Sequence, residues 1–259
     1  MVCKMFHAIE ISALTKDFGN VRAINNLTMN VEGGQVFGLL GPNGSGKSTL
    51  MKIIVGLVKP TSGNALIYGK NPQTEPVEVK GLIGYVPEAP RLYEFLTARE
   101  YLDFVADLYG VPLEAKKERI EQFLVAFELK GREDELLNGF SMGMKQKVAI
   151  TSSLLHRPKI LILDEPLNGL DPRSAKIVKD LLHELASEGA TIIFSTHILE
   201  IAQAICDRIA IMYKGSLISE GTMDELKRLA GMQGSSLEEL FLKLTGTDDV
   251  RAVVEELAK

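Results

Sequence analysis

The stretch GPNGSGKST, from Gly41 to Thr49, restricts this chain more than any other. It follows VFGLL, an uninterrupted apolar run of the kind found in a strand covered on both faces. After it, Leu50, Ile53, Ile54 and Leu57 fall at i, i+3, i+4 and i+7, which predicts a helix with one buried face. Strand, glycine-rich turn and helix in that order give the spacing G-x-x-x-x-G-K-[ST] a mechanical meaning. The glycines at 41, 44 and 46, with Pro42, Asn43 and Ser45 between them, let the backbone wrap until successive N–H groups point inward at phosphate oxygens. The helix that starts at Ser48 and Thr49 adds its positive end. Lys47 is placed to reach β- and γ-phosphates, and the Ser48 hydroxyl to ligate Mg²⁺. The bland alternative is an ordinary glycine-rich turn, but such a turn does not require the strand before and the helix after.

A second cluster follows about 120 residues later. ILILDEP sets Asp164 and Glu165 at the C-terminal end of a buried strand, where α/β proteins bind ligands. Asp164 then holds Mg²⁺, and Glu165 polarises an attacking water as general base. Alone, the pair reads equally as an acidic turn. His197 closes another strand, ATIIFSTH, on the same expected edge, in reach of a γ-phosphate.

The texture between these points sets the architecture. HAIEISAL and LTMNVEGGQVFGLLG read as strands, the latter as two around Gly33–Gly34. KPTSGN ends the first helix. From about 97 to 155 the pattern is helical, with a Thr97/Glu100 capping box and an Ile120, Phe123, Leu124, Phe127 stripe. Asp171–Pro172 starts a helix that Gly189 closes, and RIAIMYKGSLISEGT reads as a hairpin turning at Lys214–Gly215. The tail carries a Ser236/Glu239 capping box and an apolar face of Leu237, Leu240, Phe241 and Leu244. Strands alternating with helices predict an α/β fold with a mostly parallel sheet; with the G-x-x-x-x-G-K-[ST] loop it resembles a P-loop NTPase (RecA-like) core.

Composition narrows the partners. A net charge of −5 gives no reason to expect nucleic acid. The two cysteines, Cys3 and Cys206, lie far apart without a CxxC, which fits a reducing cytosol. The amino-terminal residues lack the apolar core of a signal peptide, and the apolar stretch 191–213 is broken by His197, Glu200, Gln203, Asp207 and Arg208. The expectation is a cytoplasmic protein without direct membrane insertion.

Taken together these residues resemble the ATP-binding cassette (ABC) ATPases, over about residues 8–245. GPNGSGKST is similar to the family's Walker A motif and LILDEP to Walker B. LNGLD, ending in Asp171, resembles the D-loop, and His197 the switch histidine. Phe18 matches the aromatic that stacks on adenine. FSMGMKQK, residues 140–147, stands where the family carries its signature, usually L-S-G-G-Q. The chain looks most like the ATPase subunits of ABC-2-type exporters. The resemblance implies an ABC ATPase domain over 1–246: a core at about 1–88 and 156–222 with an N-terminal antiparallel β subdomain, and a helical subdomain at about 89–155. A helical tail follows at 223–259.

Two departures stand out. YVPEAP carries Glu88 where most members have glutamine, so a carboxylate faces Mg²⁺ or the lytic water, or else it is a solvated loop residue. In the signature, Met142 replaces the first glycine and Met144 the glutamine, while Ser141 and Gly143 remain. In the family those two positions aim a hydroxyl and an N–H at the γ-phosphate held by a partner cassette. The residues agree, since Ser141 is a good N-cap and Val148, Thr151 and Leu155 follow on one helical face. The bland alternative is a capped helix with solvated Lys145 and Lys147. The resemblance further implies ATP and Mg²⁺ as ligands, a homodimer, and a separate membrane permease that holds the protein on the inner face of the cell membrane. A soluble ABC ATPase not tied to transport is the alternative. It generally carries two cassettes or a long coiled coil, and this sequence shows one cassette and no sustained heptads.

Overall fold

The computed structural model describes residues 7–229, 239 and 241–243. Two sheets organise it. β1 (His7–Phe18), β2 (Val21–Glu32) and β4 (Ser62–Ile67) form an antiparallel sheet in the order β2-β1-β4. The second sheet runs β5-β6-β7-β3-β8-β9. Its strands are β3 (Val36–Leu40), β5 (Ile83–Val86), β6 (Ile160–Asp164), β7 (Thr191–Thr196), β8 (Arg208–Tyr213) and β9 (Ser216–Gly221). All its pairings are parallel except β8 with β9.

The continuous apolar strands are explained by two cores. Ile160 and Ile162 of β6 face one, shared with the antiparallel sheet and α1 (Lys47–Ile54). Leu161 and Leu163 face the other. Against that second face pack α3 (Ala98–Leu108), α4 (Leu113–Ala126), α5 (Met142–Leu154) and α6 (Pro172–Ser187). A strand buried on both faces has no polar side to alternate with. The remaining helices are α2 (Pro76–Leu82), α7 (Leu199–Ile205) and α8 (Met223–Leu229). No helix among the described residues is long and apolar enough to cross a membrane.

Most local expectations hold. The Thr97 hydroxyl accepts from the Glu100 N–H at 3.1 Å while the Glu100 carboxylate accepts from the Thr97 N–H at 2.8 Å. Asp171 caps α6 with Pro172 at its first position, and Lys214–Gly215 makes the β8–β9 turn with both residues at positive φ. Ile120, Leu124 and Phe127 are buried as the stripe predicts, with Phe123 partly so. One helix end differs. α1 stops at Ile54, because Gly56 turns left-handed (φ 76°), so Leu57 leaves the buried face and is 59% exposed. Ser62 to Asn64, read as a terminator, instead open β4. The capping box at Ser236 and the face formed with Leu237, Leu240 and Leu244 lie outside the described residues; Phe241 packs against a small cluster of Leu40, Ala202, Ile209, Ile211 and Leu226.

Candidate nucleotide site

Adjacent parallel strands β6, β7 and β3 end on one edge, and the predicted site residues follow directly from those ends. After Leu40 of β3 the chain folds into a cradle. Gly44 and Gly46 adopt φ of 78° and 105°, a region that costs any residue with a Cβ. The space is closed as well, since a Cβ on Gly46 would meet the Ala23 carbonyl at 2.6 Å, and one on Gly41 the Met212 carbonyl at 2.3 Å. The cradle is tied from outside: the Gly215 N–H donates to the Ser45 carbonyl at 3.0 Å and the Asn25 N–H to the Gly215 carbonyl at 2.8 Å. The hairpin turn therefore holds the phosphate loop against β2. The Ser45 hydroxyl is buried and has no hydrogen-bond partner among the described residues.

Lys47 opens α1 and is 6% exposed, its Nζ donating to the Gly41 carbonyl at 2.7 Å and to Pro42 at 3.2 Å. Burial pulls its pKa below the ordinary lysine value, opposed by the charges of Glu165, Asp164 and Glu88. The ammonium and the three predicted carboxylates thus share one neighbourhood. Ser48, Glu88 and Asp164 line a common concavity of about 460 Å³ with Tyr85 and Arg91.

At the ends of β6 and β7 the groups interlock. The Ser195 hydroxyl donates to Asp164 Oδ1 at 2.5 Å and accepts from the Glu165 N–H at 3.1 Å. Glu165 is nearly buried, with φ of 49°. That strained conformation turns its carboxylate to His197, whose Nδ1 lies 2.7 Å from Oε1. The sequence reading gives Ser195 no role; its position two residues before His197, within ATIIFSTH, is the available signal.

The signature residues lie elsewhere. Ser141 caps α5, its hydroxyl accepting from the Met144 N–H at 3.3 Å. The start of α5 packs on the D-loop turn so closely that a Cβ on Gly143 would stand 2.3 Å from the Gly169 carbonyl. Met142 is 77% exposed, whereas Met144 packs inward, with Arg132 Nη1 3.3 Å from its sulfur. Lys147 corrects the solvated alternative: it is 8% exposed and donates to the Phe127 carbonyl at 3.2 Å, with Asp171 2.8 Å away. Lys145 pairs with Glu94. Gln146, also unforeseen, donates to the Pro166 carbonyl at 3.0 Å. The Lys147 and Ser174 hydrogen bonds hold Asp171 well below the usual carboxylate range. The structure therefore gathers Gly41–Thr49, Glu88, Asp164, Glu165 and His197, and gives Ser141, Gly143 and Asp171 a neighbourhood of their own. Phe18 ends β1 half exposed, in register with Val21, with Lys16 Nζ 4.7 Å from its ring centre.

The donors fit a magnesium–phosphate ligand. A buried ammonium, an orphaned hydroxyl and a cradle too tight for side chains suit phosphate, and the Ser48 hydroxyl with Asp164 suits a hard cation. Among the described residues no group of three His, Cys, Asp or Glu that could hold a metal comes together.

Comparison with known proteins agrees with this geometry. Residues 24–168 match the ABC transporter family. The chain is 40% identical over 221 residues to the bacitracin transport ATP-binding protein BcrA of Bacillus licheniformis, covering 85% of this chain and 71% of that one. It is similar to the solved ATP-binding subunit of an ABC transporter at 36% identity and a TM-score of 0.88, over 92% of this chain and 99% of the other. A dimeric cassette solved with ADP and Pi in a post-hydrolysis state aligns with a TM-score of 0.76 at 28% identity, over 83% and 98%. A family match over more than half of the chain, and a relative 40% identical over most of both chains, show that the chain belongs to the ABC transporter family as one of its ATP-hydrolysing, ATP-binding subunits.

Proposed function

We propose that this subunit binds Mg²⁺–ATP between two copies of itself and energises export through a separate membrane permease. The observation that carries the catalytic part is the His197 Nδ1 contact with Glu165 Oε1 at 2.7 Å. A buried general base needs a fixed direction, and the imidazole supplies it. Glu165 accepts the proton of the attacking water, His197 orients that carboxylate and reaches the γ-phosphate, and Lys47 neutralises the β/γ oxygens. Ser48 and Asp164, with Glu88 in the same cleft, would hold Mg²⁺, which supplies charge neutralisation across the phosphates. Phe18 stacks on the adenine.

The second half of each site comes from the partner copy. Ser141 and the Gly143 N–H, at the positive end of α5, meet the γ-phosphate bound to the other chain, and Asp171 lies at the same seam. ATP then favours the closed dimer because only that state offers both halves. The permease docks in the groove of about 360 Å³ between α3, α5 and β5, walled by Tyr85, Arg91, Tyr93, Tyr101, Phe104 and Tyr109. BcrA, a bacitracin transport protein, supports the transport reading.

Glu165→Gln tests it. The variant is expected to abolish steady-state hydrolysis nearly completely and to run as a dimer on size exclusion with Mg²⁺–ATP. Wild-type turnover from this variant removes Glu165 as the base.

A further inference from the structure

Tyr85 belongs to two cavities at once. Its side chain walls both the aromatic groove and the nucleotide cleft that Ser48, Glu88 and Asp164 line. It sits on β5, paired in register with Ile162 of β6, two residues before Asp164. Its hydroxyl is buried and has no hydrogen-bond partner among the described residues. Native structures seldom leave such an oxygen orphaned. Burial, and after it the charge of Asp164, push the phenol up to about 12, so it remains a proton donor. Asp164, 2% exposed, accepts on Oδ1 from Ser195, and no other hydrogen bond reaches that carboxylate among the described residues. A donor without an acceptor thus shares a cleft with a carboxylate that has room for another donor. They are not in direct hydrogen bond, and the usual filling for such a gap is one water.

We propose that Tyr85 is a positioning residue of the nucleotide cleft: its hydroxyl donates to a water that bridges to the Asp164 carboxylate, and so aims that carboxylate at the hydrated cation of bound Mg²⁺–nucleotide. The assignment rests on the nucleotide reading above. Its effect belongs to the cation-dependent part of binding, because the cradle at Gly41–Thr49 contacts phosphate without Tyr85. The same ring also walls the groove, so a segment seated there bears on the residue that shares the cleft with Asp164.

Tyr85→Phe removes the hydroxyl and keeps the ring, and it leaves no cavity. Binding of a fluorescent ATP analogue is titrated against Mg²⁺ and, separately, in excess EDTA. The variant is expected to raise the Mg²⁺ concentration for half-maximal binding by about three- to tenfold, the worth of one hydrogen bond, with EDTA affinity and apo melting temperature unchanged. In an Asp164→Asn background, shown folded by thermal melting, the same change is expected to have no further effect. An unchanged Mg²⁺ requirement, equal weakening in EDTA, or an undiminished effect in the Asp164→Asn background overturns the Tyr85 assignment while leaving the nucleotide site intact. Failure of the wild-type chain to bind the analogue with Mg²⁺ overturns both.

Discussion

Glu165 holds φ of 49°, a conformation a residue with a Cβ pays to adopt, and it does so where its carboxylate meets His197. Strain of this kind persists only when the surroundings over-determine it, here through two hydrogen bonds from its N–H to Ser195. The cradle glycines meet the opposite demand, because there the space and the backbone exclude side chains. Gly46→Ala places a Cβ at φ of 105° and 2.6 Å from the Ala23 carbonyl. It is expected to cost about 1–3 kcal/mol and to weaken ATP binding at least tenfold, as read by thermal melting and nucleotide titration. Neither residue is buried for hydrophobic reasons, and both were legible: the glycine from its spacing, the glutamate from its place after an apolar strand.

Between elements, the tie that matters joins α5 to the start of α6. Asp171 accepts from Ser174 at 2.8 Å as the cap of α6, and Lys147 of α5 lies at 2.8 Å from it. Its folded pKa is depressed, so the unfolded chain takes the proton more readily. The stabilisation is therefore complete above the ordinary carboxylate value of about 4 and is lost as pH falls below it. Asp171→Asn is expected to flatten the acid limb of the stability curve, checked by chemical denaturation between about pH 5 and pH 2.5. This tie was not legible, because its ends lie far apart in sequence and each carries a sufficient local reading, a cap and a solvated lysine. The elements that escaped notice share a cause. β4 begins in Ser-Gly-Asn, which spells a turn, and β5 is a short strand interrupted by Gly84. α7 lies inside an apolar run whose strands on either side blur its period. By contrast β3, β6 and β7 announced themselves, since a strand covered on both faces must be apolar throughout.

At the scale of the whole molecule, the capped end of α5 packs on the turn that follows β6. Among the described residues that end is engaged with Gly169 and Arg132, and Gln146 one turn later with Pro166. In the arrangement proposed above, each chain carries halves of two different sites, joined through the turn that follows its own β6. Genetics offers a direct reading of such an arrangement. Lys47→Ala spoils one half and Ser141→Arg the other, and each variant alone is expected to be inactive. Mixed in equal amounts, they form heterodimers in which both lesions fall in one site and the second site is whole. About one site in four across the population should then hydrolyse ATP. The double variant mixed with wild type should restore nothing in its heterodimers, since there each site keeps one broken half. Two dead alleles that rescue one another, beside a double mutant that poisons its healthy partner, is the behaviour that shared sites of this kind entail.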